Sequence, residues 1–358
     1  MGEFKPLLKL GPCTALEHAV RCFFRAGVRD VRVVAGYRAE TVAEAVKPLG
    51  VRVVVNQYFD KGMYSSVQAG VRTLEPEVRA FFLLPADYPL VRKSTVGKML
   101  ECFHTGSKGI VYPVFQGRRG HPPLISARYA GDIINSFPAG GLRELLGKYE
   151  HDALGVPVSD EAVLLDMDTP EDYEVLLQYL KNRAVPTLEE CRSILRECRV
   201  SELVWKHSHR VAGLALLLVK HLKKAGAALD EDLVLAGALL HDVARSQPDH
   251  AGAGARLLEA RGYPLVAKVV AAHMDIDSSE DMPLSEPEVV FLADKMIKDQ
   301  SMIPIPERFA VMLEMYKDDR QACEAVLRRL KQALLIKRKV EKLLGRPLES
   351  VCRAKTGI

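Results

Sequence analysis

Three absences frame this chain. No apolar run approaches the roughly 20 residues that cross a bilayer, and no charged segment followed by an apolar one opens the sequence. A membrane span and a secretory leader are therefore not expected, and a cytoplasmic location is. No C-x-x-C pair occurs among the seven cysteines. An odd count without that spacing argues against a disulfide framework and against a zinc ribbon. Cys191 and Cys198 lie two helical turns apart and read as packing residues. Neither sign of charge is in excess: 50 basic against 46 acidic residues leave +4, which gives no general case for nucleic acid. What remains is an ordinary globular composition, 27% charged and 48% hydrophobic. The 358 residues suffice for two domains of about 150 each.

The first half alternates strand and helix patterns with short loops, which predicts a parallel sheet covered on both faces. Thr14 and Glu17 have capping-box spacing at a helix start. Val28–Ala35 and Val51–Asn56 read as strands, Glu40–Val46 and Ser66–Leu74 as helices. The organising stretch is Phe81-Phe82-Leu83-Leu84-Pro85-Ala86-Asp87-Tyr88-Pro89. Its short, wholly apolar run predicts a central strand buried on both faces. Ligands in open α/β sheets bind beyond the carboxyl ends of strands, where Asp87 stands. One or two carboxylates, completed by water and phosphate oxygens, suit Mg²⁺. A turn aspartate that caps the next segment fits the same spacing.

Three further segments differ from plain connections. Gly62-Met63-Tyr64-Ser65-Ser66 opens a helix, whose free N–H groups favour phosphate or a ribose hydroxyl. Gly117-Arg118-Arg119-Gly120-His121-Pro122 is a basic turn suited to an anionic substrate. Val163-Leu164-Leu165-Asp166-Met167-Asp168-Thr169-Pro170 reads as a strand that ends in alternating carboxylates before a helix with proline near its start. Singly, these also fit an ordinary serine cap, a solvated hairpin and a helix cap.

Together, M-G-x-x-K, N-x-x-x-x-x-G-M-x-S-S, L-P-A-D-x-P-L-V, G-R-R-G-H-P and D-x-D-T-P-E-D occur in one order. In that order they resemble the MobA-like nucleotidyltransferases, and within them the molybdenum-cofactor cytidylyltransferase branch. The resemblance covers residues 1 to about 180. It implies a Rossmann-like α/β domain that transfers a nucleoside monophosphate from an NTP, CTP by branch, to a phosphorylated pterin-type acceptor. A molybdoenzyme client follows as a further partner. By the same resemblance Lys5 neutralises the triphosphate and Asp87 and Asp168 hold Mg²⁺. Asn56, Gly62, Ser65 and Ser66 lie near base and ribose, and Arg119 and His121 face the acceptor. In-line displacement by an already ionised phosphate needs no general base, only positioning and charge neutralisation. The family's glycine-rich L-A-A-G-x-S-x-R segment, which precedes M-G-x-x-K, has no match here. Either the natural start lies upstream of Met1 or this half lacks a central strand.

After Thr187, which again has capping-box spacing with Glu190, the pattern is helical throughout. His241-Asp242 follows the apolar run Leu233–Leu240. His207, His250, His273 and Asp294 stand at wide spacing. His207, His241, Asp242 and Asp294 lie on or beside apolar helical stretches. Burying all four without partners would be costly, and a shared metal supplies the partner. The H…HD…D order resembles the HD-domain metal-dependent phosphohydrolases over about residues 195–310. That resemblance implies a divalent transition metal such as Mn, Fe, Co or Ni that activates water against a phosphoester. His250 and His273 match positions that, in binuclear members, bind a second metal or the substrate phosphate, and Lys295, which follows the last aspartate, could meet a phosphate. The basic helix Arg328–Arg346 has no interleaved aromatics and reads as a solvated face rather than a nucleic-acid surface.

The expected architecture is an α/β Rossmann-like nucleotidyltransferase domain (1–182), a linker (183–190), an all-α HD domain (191–320) and a basic helical tail (321–358). Two alternatives stay open: a different phosphorylated acceptor such as a sugar phosphate, or a non-catalytic cofactor-binding first half with only the HD half active.

Overall fold

The computed structural model describes residues 4–353; Met1 and Gly2 of the M-G-x-x-K motif lie outside the described residues. The chain divides into two compact units, Met1–Asn182 and Arg183–Ile358.

The first unit opens with a 3₁₀ turn (Lys5–Leu7) and a short hairpin of β1 (Lys9–Leu10) and β2 (Cys13–Thr14). Thr14 then caps α1 (Ala15–Arg25): its Oγ1 accepts the Glu17 N–H at 3.1 Å while Glu17 accepts the Thr14 N–H at 2.6 Å, the reciprocal box that the spacing calls for. β3 (Arg32–Ala35), α2 (Ala39–Val46), β4 (Arg52–Val55) and α3 (Met63–Val71) follow. β3 and β4 pair in parallel, with Val33 opposite Val53. Next come β5 (Ala80–Phe82), α4 (Lys93–Thr105), β6 (Ile110–Phe115), β7 (Arg118–Arg119), β8 (Leu124–Ser126), α5 (Ala130–Asn135), α6 (Gly141–Gly147), β9 (Ala153–Pro157) and α7 (Pro170–Lys181). The larger sheet runs β5-β8-β6-β7, with β9 also paired to β6. Only the β6–β9 pair in it is parallel.

The sheet is therefore mixed rather than parallel, because the turn at Gln116 and Gly117 folds the chain straight back on itself, with Arg118 and Arg119 of the expected basic turn forming β7. Two strand expectations are corrected. The Phe81 strand is three residues long and half-buried, and among the described residues its one ladder partner is β8. An apolar run reports burial; it does not report how many neighbours pair with it. The segment expected to be a strand at Val163–Asp166 is a 3₁₀ turn, Glu161–Leu164. Its start is fixed by buried Asp160, which accepts the Arg92 N–H at 2.8 Å and the Thr95 hydroxyl at 2.6 Å and caps Ala162. Asp166 and Asp168 thus leave a turn, not a strand end.

Among its described residues the second unit is helical apart from a two-residue strand pair, β10 (Ile297–Lys298) and β11 (Ser301–Met302). Its helices are α8 (Leu188–Glu197), α9 (Glu202–Lys224), α10 (Glu231–Leu240), α11 (His250–Ala260), α12 (Pro264–Ala272), α13 (Glu286–Met296), α14 (Ile305–Met315), α15 (Arg320–Leu344) and α16 (Leu348–Arg353). Thr187 and Glu190 form the expected capping box. That box places the first turn of α8 inside the stretch read as linker, and Glu190 and Cys191 are buried in the unit. α10 and α13 supply the middle of the core with Val234, Leu239, Leu240, Val290, Phe291 and Leu292. Gly237 lets α10 approach α12 closely, since a Cβ there would stand 2.5 Å from Val269 Cγ1.

The basic tail helix is part of this core and not an appendage. Val326, Ala333, Ile336 and Val340 of α15 are buried in it. Lys339, 8% exposed, donates to buried Glu288 at 2.6 Å, and Arg329 grips Asp275 through two bonds of 2.8 and 2.7 Å. A helix that alternates cations with Val, Ala and Ile at helical spacing can bury the apolar stripe and still pair the cations at its edges.

Candidate functional site

In the first unit the turn after β5 carries Asp87 five residues past the strand's end at Phe82. Asp87 is half-buried, and its Oδ1 has no hydrogen-bond partner. Burial raises its carboxyl above the ordinary 3.8, and the nearby charges of Asp168 and Asp166 add to that rise. Lys5 closes the group from the other side, its ammonium 2.9 Å from Asp168 Oδ1. The Tyr88 hydroxyl donates to Asp166 at 3.3 Å, and burial with the adjacent Asp166 pushes that phenol up to about 12. His121 packs against the Tyr88 ring at 4.5 Å, and burial lowers its pKa below 6.5. Asp166 and Tyr88 thus join the group; no residue type marked them in advance, and only Asp166's alternation with Asp168 was a cue. Clustered carboxylates, one of them with an orphaned oxygen, suit a divalent cation that phosphate oxygens would complete.

The other residues marked in this half have different surroundings. Asn56 is 3% exposed; its amide donates to Ser65 and Ser66 at 2.8 and 2.9 Å and its Oδ1 accepts the Tyr58 N–H. With Gly62 at φ +89°, which disfavours a side chain, this network sets the shape of the loop ahead of α3. Arg119 lies on the surface: it holds Glu150 through two hydrogen bonds and covers the Tyr112 ring at 4.6 Å. The structure brings together Lys5, Asp87, Asp168 and His121, and gives Arg119 a different partner.

In the second unit helix ends place every marked residue. Ser201 caps α9, and His207 sits in its second turn. His241 and Asp242 stand just past α10, His250 opens α11, His273 ends α12, and Asp294 lies in the last turn of α13. Two groups of three potential ligands result, His207–His241–Asp294 and Asp242–His250–His273, with the ligand atoms of each within 4.8 Å of one another. The groups adjoin: His241 Nε2 is 3.6 Å from Asp242 Oδ2 and 3.8 Å from Asp294 Oδ1.

The imidazoles are oriented for coordination. Nδ1–H of His241 donates to the Ala238 carbonyl at 2.8 Å, and that of His273 to Val270 at 2.6 Å. Each Nε2 is thereby left as an acceptor aimed inward, and both Nε2 atoms are buried without a hydrogen-bond partner. Leaving such a group unmet costs about 1–3 kcal/mol each. A metal ion in each group would meet one of them, and a ring N–H bonded to a carbonyl is the usual support of a ligating histidine. Burial lowers His241 to about 4, so at neutral pH it offers its lone pair. Burial opposes ionised Asp294, but Lys295 and His207 hold its pKa well below 3.8. Burial also works against protonated His207, yet its 3.1 Å contact to Asp294 prevails and its pKa is raised. Lys295 is not free to meet a phosphate, since it is 5% exposed and donates to Asp294 Oδ2 at 2.5 Å and to the His273 carbonyl at 3.0 Å. His209 turns elsewhere and stacks on Trp205 at 4.7 Å.

A cavity of about 360 Å³ opens onto His207, Asp242, His273 and Asp294. Its wall also includes Arg245, Lys298, Arg308 and Arg329. These cations were missed as site residues because basic residues spread over several elements leave no spacing signature.

Comparison with known proteins decides the family. Residues 1–154 match the MobA-like NTP transferase domain and residues 204–299 match the HD domain. The chain is a MobA-like NTP transferase domain fused to an HD domain. The nicotine blue oxidoreductase of Paenarthrobacter nicotinovorans is 28% identical over 179 residues, 48% of this chain and 87% of that protein. Among solved structures, the Rv0371c protein of Mycobacterium tuberculosis in complex with manganese is 24% identical, with a TM-score of 0.44 over 49% of this chain and 93% of that one. Molybdopterin-guanine dinucleotide biosynthesis protein A of Archaeoglobus fulgidus is 14% identical, with a TM-score of 0.39 over 51% of this chain and 92% of that one. The MobA-like/HD chain is thus an enzyme of nucleotidyltransferase and HD hydrolase type. Among the described residues no helix is long and apolar enough to cross a membrane.

Proposed function

We propose that the two halves act at separate centres. The second hydrolyses a phosphoester with two divalent transition-metal ions. The first transfers CMP from CTP to a molybdopterin-type acceptor with Mg²⁺. The observation that carries this reading is the pair of adjacent three-ligand groups with two orphaned imidazole nitrogens. His207, His241 and Asp294 would hold one ion, and Asp242, His250 and His273 the other. Such ions supply Lewis acidity toward a phosphoryl oxygen and lower the pKa of water. The chain's own residues do the rest. Ala238 and Val270 fix the ligand tautomers, Lys295 keeps Asp294 ionised, and Arg308 and Arg245 hold positive charge at the cavity wall, where a phosphate would bind.

In the first half Asp87 and Asp168 would hold Mg²⁺. Lys5, now on Asp168, would move to the triphosphate as the cation takes the carboxylate. His121 and Arg119 would face the acceptor; His121 beside Tyr88 and Asp166 supports this more than Arg119, which Glu150 already engages. The CTP and pterin assignments rest on motif resemblance. A second reading, cofactor binding without transfer, draws on the Lys5–Asp168 contact and on the relative named as an oxidoreductase. The test is pyrophosphate release from each of the four NTPs with Mg²⁺ and molybdopterin. Acceptor-dependent release with CTP supports transfer; no release with any NTP favours the second reading. The location proposed is the cytoplasm, where both phosphorylated substrates would be available.

A further inference from the structure

The HD cavity has a wall of two unlike parts, and they say what enters it. One part is the ligand cluster with cations around it. Arg245 and Arg329 are engaged, by Asp242 at 3.5 Å and by Asp275. Arg308 donates to the Asp294 and Ile297 carbonyls. Lys298 is exposed, and among the described residues no hydrogen bond or ion pair engages its ammonium. An apolar part of the wall is supplied by Leu203 and Val204 from the start of α9, Met274, and Val311, Met312 and Met315 from α14. Three of these are solvent-exposed large apolar side chains, Leu203 at 75%, Val311 at 46% and Met315 at 70%. They leave an uncovered apolar surface in a cavity that also holds cations. α14, which supplies half of that apolar part, lies outside the matched HD segment of 204–299.

We propose that this cavity takes a small organic phosphate with an apolar, ring-sized body, and that α14 is the element that reads the body. The proposal rests on the phosphohydrolase reading of the ligand cluster. A volume of about 360 Å³ is at the small end of ligand sites and encloses a small molecule, not a polymer. The phosphate goes to the ligand cluster, with Lys298 as the cation still free to pair with a second anionic group. The body lies against Met312, Met315 and Val311, where burial is favourable in proportion to apolar area, and methionine adapts to flat or irregular shapes. A polar body such as glycerol leaves that surface wet and gains nothing from it. Hydrolysis consumes one water: its oxygen bonds phosphorus, the ester P–O bond breaks, and a water proton ends on the departing alcohol oxygen.

The test uses the full chain loaded with Mn²⁺, with 1-naphthyl phosphate and glycerol 3-phosphate as probes. The expected result is a kcat/KM at least tenfold higher for 1-naphthyl phosphate. In the double variant Val311→Gln/Met315→Gln, both positions exposed so that folding is not at stake, KM for 1-naphthyl phosphate rises about fivefold and the preference narrows. Equal kcat/KM for the two esters, or a preference that the double variant leaves intact, overturns the proposal and spares the phosphohydrolase reading. If neither ester is hydrolysed, 1-naphthyl fluorescence reads binding directly. Binding that weakens in the double variant keeps the cavity assignment while the hydrolase reading fails; no binding overturns both.

Discussion

His241 and His273 in the second half are 0% and 1% exposed, whereas Lys5 and Asp168 in the first leave 35% and 65% of their side chains in solvent. Both groups suit a divalent cation, and they are built in opposite ways. The candidate HD ligands are fixed by helix ends and by backbone carbonyls, and their nitrogens and carboxylates already stand in two groups of three. The transferase carboxylates stand on turns, have no histidine ligands grouped with them, and are balanced by the half-exposed Lys5. A hard cation that keeps waters and borrows phosphate oxygens needs no more than this; a transition-metal pair needs ligands in place. On the proposed reading, the difference means that the HD centre would hold its metal at rest and the transferase centre would assemble one with its nucleotide.

The largest effect that sharpens this contrast is loss of metal. His241→Ala removes a fully buried ligand, and the metal content of the full chain, read by mass spectrometry, is expected to fall by at least one ion per chain. Full retention would break the assignment. Next, stripping by a chelator is expected to lower the melting temperature of the second unit, since bound ligand stabilises by mass action. Mg²⁺ alone should leave the first unit's melting temperature unmoved until CTP is added. A first unit that Mg²⁺ stabilises without nucleotide would erase the contrast.

A smaller effect comes from packing behind the site. Gly237→Ala puts a Cβ 2.5 Å from Val269 Cγ1, and overpacking of this kind costs about 1–3 kcal/mol. Denaturant unfolding should show that loss together with weaker Mn²⁺ binding, because α10 and α12 carry His241 and His273. Smaller again is the acid response of the Glu288–Lys339 pair. Burial opposes the Glu288 carboxylate, but Lys339 and two serines outweigh it and hold its pKa below the ordinary 4.5. A depressed folded value means stabilisation that is full above pH 4.5 and fades as pH falls through the lower folded value. Glu288→Gln should therefore flatten the acid limb of the second unit's stability curve. The slightest change is expected from Lys5→Gln, whose exposed ion pair contributes little to stability; thermal melting should barely shift while KM for the NTP rises.

How much of this was legible in the sequence also differs between the halves. His207, His241, Asp242 and Asp294 marked a candidate centre because their side chains can themselves ligate a metal, and burial next to apolar runs demands a partner. His250 and His273 follow the same logic, and the structure puts them in one group with Asp242. In the first half Asp87 was legible from where the apolar run stops, but the strand was read as central and the 163–166 segment as extended. Pairing partners and the cap at Asp160 depend on residues distant in sequence. The α15 cations and the α14 wall were not legible either, because a basic residue near an apolar one looks alike on a solvated helix and at a cavity rim.

The most direct test of two separate centres is to assay both reactions in two variants of the full chain, Asp87→Ala and Asp242→Ala. Pyrophosphate release with CTP, Mg²⁺ and acceptor should vanish in the first and persist in the second. Mn²⁺-dependent phosphoester hydrolysis should do the reverse. If either substitution abolishes both reactions in a chain that still folds, the two halves share one centre and the assignment is wrong.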